Sequence, residues 1–147
     1  MRNIWQKELT FPEDIYYSPE LLWAKDLGEN KIRMGISDLG VKSVKSLIYI
    51  RFITPIGKEI KKGDALGIVE TSKMVWEIIT PLSGKLISRN QKLSSGNPAI
   101  LVKDPYGEGW LVEMELIKWP AERESLLQAE VYYEQMKAEA EAEAQRL

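Results

Sequence analysis

Between Leu22 and Ile117 the apolar residues fall into short runs separated by Gly, Pro and Asp punctuation. That pattern predicts strands at Leu21–Ala24, Lys31–Ile36, Leu47–Ile53, Ala65–Val69, Met74–Thr80, Gly84–Ser88 and Trp110–Leu116. Strands this short and closely spaced predict an antiparallel sandwich or small barrel. A short helix is predicted near Ser37–Val44, capped by Asp38 and weakened by Gly40. Asp104-Pro105-Tyr106-Gly107 carries the residues of a type I turn, and Pro81-Leu82-Ser83-Gly84 is a second turn candidate.

The two ends differ from this middle. Residues 1–20 show no sustained period and hold Pro12 and Pro19, which predicts an irregular lead-in. The core domain is expected over residues 21–117. Residues 118–147 are expected to form a C-terminal helix beginning near Pro120, which suits a first helical turn, with Glu122 and Glu124 at its positive end. Leu126, Ala129, Tyr133, Met136 and Ala140 recur at three- and four-residue steps and predict one apolar face, packed on the sandwich rather than on a coiled-coil partner. The Glu-Ala tail from Glu139 has no apolar stripe beyond alanine and is expected to fray.

Composition removes several kinds of chemistry. The 147-residue chain has no histidine and no cysteine. Zinc therefore loses its two commonest ligands, and nucleophiles activated by histidine are impossible. No metal site and no catalytic residue is predicted. The net charge of −2 leaves no nucleic-acid footprint, and the cluster of Lys58, Lys61 and Lys62 is interrupted by Glu59 and Asp64. No apolar run approaches the roughly 18 residues of a membrane span. The mixed first ten residues do not fit a signal peptide. No membrane partner and a cytoplasmic location are expected.

The segment Gly67-Ile68-Val69-Glu70-Thr71-Ser72-Lys73-Met74-Val75-Trp76-Glu77-Ile78-Ile79 draws attention to one lysine. Apolar runs approach and leave a short polar group, which predicts a hairpin with Lys73 at its tip. The tip lacks Gly and Asn, so a connection longer than a two-residue type I′ turn is expected. Most exposed hairpin lysines are solvated charges. A lysine held out on a rigid hairpin also suits a covalently carried cofactor, which performs the chemistry while the protein attaches and orients it.

The flanking segments decide between these readings. Glu70-Thr71-Ser72-Lys73 resembles the Glu-x-x-Lys tip of lipoyl-carrying hairpins. Gly35-Ile36-Ser37-Asp38, Gly63-Asp64, Gly67-Ile68-Val69-Glu70, Thr80-Pro81-Leu82-Ser83-Gly84, Asn97-Pro98 and Asp104-Pro105-Tyr106-Gly107-Glu108-Gly109-Trp110-Leu111 resemble segments of the glycine cleavage system H protein family, in matching order and spacing. Leu127-Gln128-Ala129-Glu130-Val131-Tyr132 resembles that family's C-terminal helix, so the resemblance spans residues 20 to 135. It implies a lipoyl/biotinyl-type hybrid barrel-sandwich, mainly β, with short peripheral helices and a C-terminal helix. It implies lipoate amide-linked to Lys73, with Glu70 as a contact for the lipoate ligase or lipoyltransferase that attaches it. Glu70 is equally well read as a surface carboxylate at a strand end. Gly67 is read as a close-packing residue, and Tyr106–Trp110 as a folding element.

The implied activity is that of a carrier, not an enzyme. It would pass an aminomethyl group between glycine decarboxylase (P) and aminomethyltransferase (T), with dihydrolipoyl dehydrogenase (L) as third partner, and a monomer suits that task. Three departures bear on the partner. Leu21-Leu22 stands where the family has His-Glu, Met74 where it has Ala, and Trp76 where it has a small residue. They leave open a second reading, an H-like lipoate-binding protein serving a heterodisulfide-reductase-like sulfur-oxidation complex. Ser72-Lys73-Met74 also resembles half of a biotin site, and an unmodified interaction protein is a further alternative.

Overall fold

The computed structural model describes residues 9–43, 47–72, 74–94 and 99–146. Ten strands and five α-helices occur among them. In chain order these are β1 (Tyr16–Tyr17), β2 (Leu22–Gly28), β3 (Lys31–Ile36), α1 (Asp38–Ser43), β4 (Leu47–Phe52), β5 (Glu59–Ile60), β6 (Ala65–Thr71) and β7 (Val75–Ile79). They continue as β8 (Gly84–Arg89), α2 (Gln91–Ser94), α3 (Ala99–Lys103), β9 (Val112–Leu116), α4 (Trp119–Glu122), β10 (Leu127–Gln128) and α5 (Ala129–Arg146). A seven-stranded sheet runs β10-β1-β2-β3-β9-β8-β5, and a three-stranded sheet runs β4-β6-β7. Every pairing is antiparallel. The mainly β sandwich expected from the run lengths is present.

Strand residues of both sheets point into one core. Ile32 and Met34 of β3, Leu86 of β8 and Met114 of β9 meet Ile50 of β4, Leu66 and Val69 of β6 and Ile78 of β7. Alternation along β3 and β9 places these residues on the same face, as period-2 patterning requires. Two glycines permit close approach. A Cβ on Gly35 would lie 2.5 Å from the Trp23 indole, and one on Gly67 would lie 2.5 Å from the Arg51 carbonyl oxygen. The packing role expected for Gly67 is therefore observed.

A second cluster joins the chain ends. Leu9, Phe11, Ile15 and Tyr17 are buried against Trp23, Leu39, Ala129, Tyr132 and Met136. The segment expected to be a lead-in is thus core from Leu9 onward, although only Tyr16–Tyr17 is strand. Its polar groups are satisfied by fixed partners. Thr10 N–H donates to the Asp38 carboxylate (2.8 Å), and the Tyr17 hydroxyl donates to Pro12 O (2.7 Å). The Tyr106 hydroxyl donates to Thr10 O (2.6 Å) and accepts from Asp38 N–H (2.9 Å). Ser37 and Tyr132 join hydroxyls at 2.9 Å. Tyr106 therefore holds the fold together, as its stretch was expected to do.

Four expectations change. The hydroxyl of Ser37, not the carboxylate of Asp38, caps α1 by accepting from Gly40 N–H (3.3 Å). Asp38 is occupied with Thr10 and Lys42. The C-terminal helix does not run on from Pro120. A short α4, a 3-10 turn at Arg123–Ser125 and β10 come first, because Leu127 and Gln128 pair with Tyr17 and Tyr16. The buried stripe of α5 is Ala129, Tyr132 and Met136. Tyr133 is only partly buried, and Leu126 precedes the helix and joins the main core. Finally, α5 continues to Arg146, so the Glu-Ala tail expected to fray is helical, in keeping with alanine's high propensity.

Gly35→Ala should destabilise the fold by about 2–4 kcal/mol, because the added methyl must displace a fully packed indole. A thermal melt showing less than a few degrees of change would contradict this packing. Burial also raises the Tyr17 and Tyr106 phenols far above their ordinary 10.0. Unfolded tyrosine ionises near pH 10 and the folded residues do not, so this contribution is intact below about pH 10 and declines as pH rises beyond it. Denaturant melts across that range should show the decline, and an absorbance titration should find tyrosines that ionise only on unfolding.

Candidate functional site

Strands β6 and β7 form a tightly closed hairpin. Glu70 pairs with Val75, Val69 with Trp76 and Ile68 with Glu77. Beyond Glu70, Thr71 N–H donates to Met74 O (2.9 Å), and the Thr71 hydroxyl accepts from Met74 N–H (3.0 Å). The last ladder pair is Glu70 with Val75, so positions 71–74 connect the strands, and the type of turn rests on position 73, outside the described residues. The Thr71 side chain supplies hydrogen bonding at the point where a turn without glycine needs it. Lys73 itself lies outside the described residues. Its neighbours Ser72 and Met74 are both exposed, Met74 at 51%.

The two faces of the small sheet have different tasks. Ile50, Val69 and Trp76 lie in one row facing the core, and Tyr49, Glu70 and Val75 lie in a row on the outer face. Arg51, Ile68 and Glu77 form the next outer row. Glu70 receives a hydrogen bond from the Arg51 guanidinium (3.2 Å), which also donates to the Tyr49 hydroxyl (2.9 Å). The Tyr49 hydroxyl first, and the Glu70 charge after it, raise the Arg51 pKa further above its ordinary value. Glu70 is thus an oriented carboxylate near the hairpin end, and neither of the readings given for it is excluded by this partner. Sequence analysis did not single out Tyr49 and Arg51. Their two-residue spacing in a strand was the available signal.

The three departures near the site separate by burial. Leu22 is 1% exposed in the main core, and Trp76 packs partly against that core. Neither forms a free docking surface. Leu21 is half-buried in the second cluster and holds φ at 72°, a left-handed conformation unusual for a leucine. Met74 stands on the surface beside the tip and is open to solvent, so it gives no enclosed apolar shelter. Of the other quoted segments, Asn97-Pro98 lies outside the described residues. The Asp104 turn closes through Gly107 N–H to Asp104 O (3.3 Å) and Gly109 N–H to the same oxygen (2.9 Å). Among the described residues no group of His, Cys, Asp or Glu is placed to hold a metal ion, and no helix is long and apolar enough to cross a membrane.

Comparison with known proteins agrees with this architecture. The family described as glycine cleavage H-protein matches residues 15–139. The chain is 36% identical over 124 residues to the glycine cleavage system H protein of Anaeromyxobacter sp. (strain K), covering 84% of this chain and 94% of that one. It is 35% identical over 124 residues to the probable glycine cleavage system H protein 1 of Saccharolobus solfataricus, covering 84% and 89%. A crystal structure of a glycine cleavage system H protein from Mycobacterium marinum superposes with a TM-score of 0.71 at 26% identity, covering 85% of this chain and 98% of that one. Its barrel-sandwich, its closed hairpin ending at Thr71 and Met74, and a match across residues 15–139 together establish that this chain belongs to the glycine cleavage H-protein family.

Proposed function

We propose that the protein is a lipoyl carrier, with lipoate amide-linked to Lys73, that passes an aminomethyl group among the enzymes of glycine cleavage. The observation that carries the reading is the closed hairpin ladder ending in exposed residues 72 and 74 around position 73. Lipoate fits such a tip. An amine in water is open to a modifying enzyme, and the paired strands behind it give a long arm a fixed base. When attached, lipoate supplies a dithiolane for group transfer and thiol–disulfide exchange. The chain's residues attach and orient it, and they contribute no cysteine that would trap the open ring.

The family's partners follow as proposals: glycine decarboxylase, aminomethyltransferase and dihydrolipoyl dehydrogenase, together with the ligase or lipoyltransferase that modifies Lys73. Cytoplasmic location and a monomeric carrier belong to the same reading. The named relatives are glycine cleavage system H proteins, which supports the aminomethyl cargo. The sulfur-carrier alternative, the biotin alternative and the unmodified interaction protein draw no support from them. Glu70 has a double assignment, as Arg51's partner and as a contact for the modifying enzyme. The two are compatible, since one carboxylate oxygen bonded to Arg51 leaves acceptor capacity on the other.

Wild-type protein incubated with lipoate and a ligase should gain one lipoyl group, and Lys73→Arg should gain none. Mass spectrometry checks both, and a modified arginine variant would defeat the assignment of Lys73. Glu70→Ala should change stability by no more than about 1 kcal/mol, because its ion pair with Arg51 is half-exposed. It should nevertheless slow lipoylation, and an unchanged rate would remove Glu70 from recognition. Lipoylated protein should support exchange of labelled bicarbonate into glycine with purified decarboxylase, whereas fully lipoylated but inactive protein would overturn the aminomethyl reading.

A further inference from the structure

A shallow hollow of about 210 Å³ lies where the end of β8 meets β4, lined by Ile50, Arg51, Phe52 and Arg89. Arg51 and Arg89 both line it, and their guanidinium groups are differently occupied. Arg51 is shared between Tyr49 and Glu70. Arg89 lies 5.9 Å over the Phe52 ring, and its Nε is shielded from solvent without a hydrogen-bond partner. Among the described residues it has neither a hydrogen bond nor an ion pair. A part-buried cation left without a counter-charge is costly. An entering anion relieves that cost.

We propose that this hollow binds a carboxylate, presented by an acidic side chain of an enzyme that takes up the hairpin tip. The guanidinium fork matches a carboxylate in shape and charge. Phe52 lies against the Arg89 guanidinium, and an arginine beside an aromatic ring is a common interface anchor. The position also fits. Arg51 pairs with Ile68, three residues before the ladder ends at Thr71, so the hollow sits about 10 Å along the strand from the tip. An enzyme enclosing the tip must bring its rim across this surface. An aminomethyl amine is cationic near neutral pH and is repelled by the Arg89 guanidinium, which disfavours the carried group as the occupant. The identity of the partner rests on the carrier reading, and the site itself does not.

Two measurements separate these claims. Isotope-labelled wild-type protein is titrated with sodium acetate, and with sodium chloride at equal ionic strength, while the Arg89 Nε–H and the amides of Arg51 and Phe52 are followed by NMR. The proposal expects saturable shifts in acetate alone, half-complete at roughly 10–100 mM as for one charge-assisted pair. Arg89→Met should lose them, and Arg51→Gln should weaken them if the first variant folds poorly. Shifts that follow chloride, or that persist in Arg89→Met, overturn the site. In the decarboxylase reaction, lipoylated Arg89→Glu should raise the KM for the carrier about tenfold. An unchanged KM overturns the assignment to that partner. A lipoylated wild type that supports no exchange fails the glycine reading alone, and the acetate titration then decides the site.

Discussion

The ladder on both edges of β6 is the constraint on which the site's geometry depends. β4 pairs with one side and β7 with the other, and Gly67 allows the Arg51 carbonyl to approach where any side chain would collide. A strand hydrogen-bonded on both sides and anchored by Leu66 and Val69 in the core cannot change register, because a one-residue slip would turn those side chains to water. The hairpin therefore ends at Thr71 and Met74 and nowhere else.

The aromatic cluster performs the corresponding task at the opposite sheet. Phe11, Tyr17 and Tyr132 pack edge-to-face and stacked at centroid distances of 4.8–5.8 Å. The hydroxyls of Tyr17, Tyr132 and Tyr106 bind main-chain or hydroxyl oxygens, so burial leaves these polar groups satisfied. Segments from both ends of the chain thereby close over β2 and α1. Asp38 connects the two, since its carboxylate holds Thr10 while its amide is held by Tyr106.

The outer face of the small sheet is where general architecture gives way to properties of this chain. Tyr49, Arg51 and Glu70 are joined by hydrogen bonds there, while Arg89, from the other sheet, lies over Phe52 without a hydrogen-bond partner for its Nε. Glu70, held by Arg51, is an oriented carboxylate on the outer face near the end of the hairpin.

Much of this was legible in the residues. Strand β3 was predicted end to end, and the other six predicted strands were placed to within a few residues, because their β-branched runs and punctuation are local signals. Lys73 and Glu70 stood out through the order and spacing of motifs around them. Other features carried no local signal. The Glu29-Asn30 turn, with φ of 55° and 62°, uses a glutamate in a left-handed conformation that its sequence does not announce. The break before α5 depends on Leu127 and Gln128 pairing with Tyr17 and Tyr16, more than a hundred residues away. The burial of Leu9 and Phe11 needs Tyr132 and Met136 from the far end of the chain. By itself, then, the sequence determined the β character, the hairpin and its lysine, because alternation and turn chemistry act between near neighbours. Only the tertiary structure decided the closure of the ends, the packing of Leu22 and Trp76 on the core, and the meeting of Phe52 with Arg89, because each is a contact between segments that the chain keeps far apart.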